Sequence, residues 1–217
     1  FGVSKAPLGV TAAGAILVYL EHTEHSDISH VCSLSRIDEE DYVWMDRFTV
    51  RNLEIFNSTA GHDGVSLLDV MDKCSSPMGS RMLRSWLAMP IVDVKRLEGR
   101  YDAVSYFIEN KDALDELRER IGNIGDMERI VSRAAAGRIS PREMMQLKRG
   151  LRQGEPVKSL CSRKGVASLN ALTGQIDGCA ELVQLIERSI RDEPAAAIGK
   201  GDVIASGVSE ELDELRN

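Results

Sequence analysis

The 217-residue chain carries 27 lysines and arginines against 34 aspartates and glutamates, a formal net charge of −7 with a pI near 5.2. That sign opposes phosphate contact and excludes the class of small basic DNA-binding modules. With 43% hydrophobic but only 5% aromatic residues, the composition fits a globular domain with an aliphatic helical core. It excludes a disordered tail and suits an all-β sandwich poorly.

In chain order, Thr11 opens the first helical pattern, with Ala13, Ile16, Leu17 and Leu20 at helical spacing. The apolar patches from Leu8 to Leu20 are too short to span a bilayer and lack a basic flank, so no signal or membrane segment is expected. His22, His25 and His30 follow, without the carboxylates or thiols that would close a metal site. They read as polar surface near a helix end. Val31 to Met45 then alternates, broken by Asp38-Glu39-Glu40-Asp41, which predicts a β-hairpin with Tyr42–Asp46 as its second strand. Helical character resumes over Thr49–Ile55, and 57–64 is a loop.

From Ser66 onward the punctuation is helical. Ser76-Pro77 starts a helix with a cap and a first-turn proline, Met78, Met82, Trp86 and Met89 share one face, and Pro90 stops it. Trp86 is thereby expected to anchor a core. Asp93 caps the next helix, where Val94, Leu97, Tyr101, Val104 and Ile108 step by three and four. Leu114, Leu117, Ile121 and Ile124 repeat the pattern. Ser140-Pro141 again starts a helix, leading to Met144, Leu147 and Leu151. Leu169, Leu172, Ile176, Cys179, Val183, Ile186 and Ile190 predict one long helix with a packing seam, despite Gly174 and Gly178. A turn at 199–201 and a short extended piece, Val203–Ala205, precede a last helix capped by Ser209. That helix is still running at Asn217 and the chain begins at Phe1 without Met, so the sequence reads as a cut from something longer. The fold class is mainly α, with one minor β-hairpin.

Chemistry is not visible. No GxxxxGK[ST] loop, GxGxxG, HExxH or GxSxG occurs. Pairs such as Glu39-Glu40 and Glu210-Glu211 sit in solvated acidic runs. Cys32, Cys74, Cys161 and Cys179 lack metal-ligand spacing and read as reduced thiols of a cytoplasmic protein. No catalytic, cofactor-binding or metal residue is named, and the chain is not expected to be an enzyme. One asymmetry stands out: Arg138, Arg142, Lys148, Arg149, Arg152, Lys158, Arg163 and Lys164 face only Glu143 and Glu155 between 138 and 164, a local charge of +6. The plain reading is a solvated helix face; a nucleic-acid face or a contact with an acidic neighbouring domain also fits.

Six stretches, in order, resemble the central core or lever region of the MutS family. They are Phe1-Gly2-Val3 with Ala12–Leu17, and Met45-Asp46 with Thr49-Val50-Arg51-Asn52-Leu53-Glu54. Leu67–Val70 with Ser76-Pro77-Met78-Gly79-Ser80-Arg81-Met82-Leu83-Arg84-Ser85-Trp86-Leu87 is the most specific. Gly125–Ile130, Arg138–Glu143, and Ile204–Gly207 with Glu211–Arg216 complete the set.

The resemblance implies a helical bundle or lever domain of a DNA mismatch repair protein: 1–65 as entry helix and hairpin, 66–200 as helical core, 201–217 as the start of a lever helix. It implies a parent that binds mismatched double-stranded DNA, ATP and Mg, forms a homodimer and signals to downstream repair proteins. The family's Phe-x-Glu mismatch wedge, its nucleotide loop and its clamp are expected outside this chain. What remains for the segment is mechanical, coupling ATPase-driven changes to the clamp through the other domains of the parent. A recombination paralogue is the other reading within the family. The alternative outside it is a helical protein–protein adaptor with no role on DNA.

Overall fold

A computed structural model describes residues 6–23, 31, 34, 37–162 and 166–216, without the side chains of Glu39 and His62. His25, His30 and Cys32 therefore lie outside the described residues, as do Arg163, Lys164 and most of the expected first hairpin strand. The architecture is mainly α. Twelve helices run α1 (Pro7–His22), α2 (Arg47–Asn52), α3 (Leu67–Met71), α4 (Pro77–Ala88), α5 (Val94–Glu109), α6 (Lys111–Ile124), α7 (Met127–Ala135), α8 (Pro141–Leu151), α9 (Gly154–Cys161), α10 (Ala167–Thr173), α11 (Ala180–Ser189) and α12 (Glu210–Arg216) among the described residues.

Local chemistry fixes most helix starts. The side chains of Ser66, Ser76, Asp93 and Ser140 each accept a bond from an otherwise unpaired amide of the first turn, and Ser66 with Asp69 and Ser140 with Glu143 form reciprocal capping boxes. Pro77 and Pro141 take the first helical position as expected. α1 begins earlier than Thr11, at Pro7, and the Thr11 hydroxyl donates back to the Pro7 carbonyl at 3.0 Å.

α5, α6, α9 and α10 close a ring in which each helix packs on the next. Its core is Leu117 of α6 with Leu160 and Cys161 of α9, lined by Phe107 and Ile121. A second cluster surrounds α8, which packs on α6, α7 and α11. Ile130, Met145, Leu147 and Ile186 form its buried centre. The interface of α6 with α8 joins the two.

Several expectations change. The described part of the expected hairpin does not pair with itself: Glu39–Asp41 is a 3₁₀ turn, and Tyr42 forms an isolated antiparallel bridge to Ile91. Asp46, expected in a strand, caps α2 by accepting from the Thr49 amide at 2.6 Å. The long seam over 169–190 is two helices rather than one. The chain turns at Gly174 and re-enters helix after Cys179, whose φ of 48° is left-handed. Gly178 lies where the start of α9 comes close, since a Cβ on Gly154 would stand 3.4 Å from its Cα. The two halves also choose different partners, α10 packing on α5 and α9, and α11 on α8.

Trp86 is not a core anchor. It is 43% exposed, α4 contains no buried residue, and the Arg100 guanidinium lies 3.5 Å above the ring centroid. Periodicity put Met82 and Trp86 on one face correctly, but periodicity does not say whether that face is covered. Trp86→Ala is accordingly expected to cost about 1 kcal/mol, the scale of a surface cation–π contact, rather than that of a buried aromatic. Denaturant unfolding measures it; a loss above about 3 kcal/mol would restore the buried reading.

Candidate functional site

The basic stretch is the first candidate, and geometry distributes its charges. On α8 and just beyond it, Arg142, Gln146, Arg149 and Gln153 recur at intervals of four, three and four, so they share one face. With Met145 they line an open cleft of about 760 Å³ whose other walls are Gly122 and Asn123 at the end of α6, Gly125 just after it, and Asp192, Glu193 and Pro194 beyond α11. Two arginines and two acidic residues thus line the same cleft. Lys148, on another face, is buried with its side chain 4% exposed, and its ammonium donates to Asp192 at 2.9 Å. That bond, first of all, holds the Asp192 carboxyl below the ordinary aspartate range.

Arg152 donates to both carboxylate oxygens of Glu187 at 2.7 Å, and Lys158 donates to the Ile176 carbonyl at 3.1 Å. Two of the basic residues, Lys148 and Arg152, are therefore paired with acids from outside the stretch.

The second candidate is a clamp that sequence reasoning missed. Arg81 of α4 reaches Asp126 with both terminal nitrogens, at 2.9 and 2.6 Å, and Glu128 with Nε and Nη2, at 2.9 and 2.5 Å. Asp126 also caps α7, accepting from the Arg129 amide. The Arg81 contact holds the Asp126 carboxyl low, and the two acids push the Arg81 guanidinium up. Bidentate arginine–carboxylate geometry fixes orientation as well as distance. The clamp joins two of the stretches singled out in the sequence, 76–87 and 125–130, and no local pattern could have paired residues 45 positions apart.

Arg133 pairs with Glu143, so α7 is tied to the capping box of α8. At the far end, Arg216 donates to the Ile204 carbonyl and Asp213 accepts from the Gly207 amide, drawing together the 204–207 and 211–216 stretches. Ile204 itself bridges to Ile190, so the expected extended piece at 203–205 does pair.

The Phe-x-Glu spacing, expected outside this chain, does occur once, at Phe107-Ile108-Glu109. Phe107 is packed against the ring core and edge-on to Tyr106 at 5.1 Å, inside a regular helix. It is a structural side chain and cannot enter a base stack from there. Among the described residues no three of His, Cys, Asp and Glu gather as metal ligands, and no helix is long and apolar enough to cross a membrane. Cys161 is buried in the ring core, Cys74 is exposed and burial pushes its thiol up, and Cys179 is half-buried.

These features define a helical scaffold domain, two packed groups of helices tied by charged contacts between distant segments. The chain belongs to the MutS domain III family, whose model matches residues 48–216. Over 216 residues, all of this chain, it is 48% identical to a protein named DNA mismatch repair protein MutS from Parabacteroides distasonis. Identity is 46% to the protein of that name from Phocaeicola vulgatus and 44% to that from Bacteroides fragilis. The chain spans 25% of the length of each of these relatives.

Proposed function

We propose that this chain is the structural and coupling segment of a MutS-like DNA mismatch repair protein, transmitting ATPase-driven changes to a DNA clamp. The observation that carries the reading is the family match over 48–216, together with identity near one half to proteins named for mismatch repair. On that reading the parent is a cytoplasmic homodimer that binds mismatched duplex, ATP and Mg and recruits downstream repair proteins. Residues 1–65, 66–200 and 201–217 serve as entry, helical core and lever start. The adaptor reading has no comparable observation behind it.

The physics of coupling favours such a body. Close-packed helix groups transmit displacement because their cores resist compression. Ion-pair clamps between distant segments keep the groups in one arrangement until a larger force selects another. Arg81 with Asp126 and Glu128, and Lys148 with Asp192, are the contacts suited to that task.

The 217-residue chain alone is expected neither to hydrolyse ATP nor to prefer a G·T duplex over a perfect one. Hydrolysis by this family's route needs a phosphate-cradling loop, and mismatch preference needs a side chain that wedges into the stack. Any binding through Arg142 and Arg149 should be weak, ignore the mismatch and vanish as salt rises. Titration of labelled homoduplex and G·T duplex across salt concentrations is the test. Mismatch preference at physiological salt would overturn this division of labour.

A further inference from the structure

No residue of α12 is buried and Leu215 is 80% exposed, so an apolar core does not set the direction of this helix. Polar contacts do. Past α11 the chain runs extended beside 202–205: the Arg191 amide donates to the Val203 carbonyl and the Ala205 amide to the Ser189 carbonyl, both at 3.0 Å. Side chains of successive extended residues point to opposite sides. Asp192 accordingly turns to the buried ammonium of Lys148 on α8, at 2.9 Å, and Arg191 turns the other way, to Oδ2 of Asp202. The other oxygen of Asp202 faces α12, with Oδ1 3.4 Å from Nε of Arg216. One carboxylate thus stands between two guanidiniums, one from the exit of α11 and one from α12. Arg216 is not fully bonded. Its Nη2 donates to the Ile204 carbonyl at 3.2 Å, but Nη1 is shut off from solvent without a hydrogen-bond partner, although Asp213 lies 3.5 Å away. Its approach to Asp202 is an ion pair, about half an ångström longer than the usual N–H···O distance.

We infer that Asp202 is the joint that aligns α12 on the body of the chain, and that drawing α12 onto 202–204, which tightens Arg216 against Asp202, is the displacement passed to α8 through Arg191, Asp192 and Lys148. The inference deepens the coupling reading and rests on it. A line of paired charges carries displacement only where its members have two discrete arrangements. The slack contact and spare donor of Arg216 supply the second one. The static worth of the joint is small, because the side chains of Asp202 and Arg191 are 53% and 46% exposed, and exposed ion pairs contribute little to stability. Asp202 is therefore a positioning residue, whose loss changes transmission and leaves folding alone.

In the full-length parent, the change in ATP turnover caused by a mismatched duplex should fall at least about fivefold in Asp202→Asn and in Arg216→Gln, with turnover without DNA and affinity for duplex each within about twofold. Asp202→Glu keeps the charge and should retain most of the response. The double variant Arg191→Asp with Asp202→Arg restores an ion pair between those two positions but sets a guanidinium against Arg216. It should lose the response as Asp202→Asn does. A full response in Asp202→Asn or in the double variant overturns the inference. Calorimetry should place the melting midpoint of Asp202→Asn within about 2 °C of wild type, as exposed substitutions do. A larger fall also overturns it, since lost stability would then explain the lost response. If Arg81→Gln loses the response while Asp202→Asn keeps it, the coupling reading stands and this joint alone fails; if both keep it, the reading itself fails.

Discussion

Ile130→Ala is expected to lower the free energy of unfolding by about 2–5 kcal/mol, toward the upper end of that range. Ile130 is almost fully buried, and its side chain belongs to the cluster that joins α7 to Met145 and Leu147 of α8 and to Ile186 of α11. Truncation removes the transfer free energy of the lost atoms and leaves a void walled by three helices, none of which can close in without disturbing its other contacts. The neighbouring Val131 is exposed, and Val131→Ala should stay within about 0.5 kcal/mol. Urea unfolding of both variants measures the pair. A cost below about 1 kcal/mol at Ile130 would mean that the cluster is loosely packed or readily collapses.

Gly150→Val is expected to cost about 1–3 kcal/mol through overpacking at the crossing of α6 and α8. A Cβ on Gly150 would stand 2.7 Å from the Ile124 carbonyl oxygen and 2.8 Å from the Met127 sulfur. The sulfur can swing aside; the carbonyl is backbone and can move only with the end of α6. Gly122, near the same end of α6, gives the opposite sign. Its added Cβ would meet only the Ser75 carbonyl at 3.8 Å, an ordinary contact. Gly122→Ala should therefore gain up to about 1 kcal/mol from helix propensity alone. Thermal unfolding of the two variants side by side separates close approach from conformational entropy; equal signs would contradict the packing described.

What was legible in the sequence is what short-range chemistry decides. Ser76-Pro77, Asp93 and Ser140-Pro141 announce helix starts because a cap acts within its own first turn, and all three stand where expected. Less legible were features that depend on partners far along the chain. The 169–190 seam kept its period through Gly174 and Gly178 because α10 and α11 each bury an apolar face, but against different helices. Trp86 shares its periodic face with Met82, and nothing local reveals that both lie exposed. The three-four steps of α5 were legible, but Val94, Tyr101, Val104 and Ile108 lie exposed, and Phe107 rather than that row packs on the ring core. For the candidate site, the charge count along 138–164 could not foresee that Lys148 and Arg152 find acids at 192 and 187. The Arg81 clamp had no sequence signal beyond its membership of two family-like stretches.

The coupling role is tested most directly in the full-length parent, by measuring how much a mismatched duplex changes ATP turnover in the wild type and in Arg81→Gln. The substitution removes the bidentate tie from α4 to Asp126 and Glu128 without touching a buried side chain. If the segment transmits between the two sites, the mismatch-dependent change should fall at least about fivefold, while turnover without DNA and affinity for duplex each stay within about twofold. Full retention of the mismatch response in Arg81→Gln, with the clamp broken, would contradict the account.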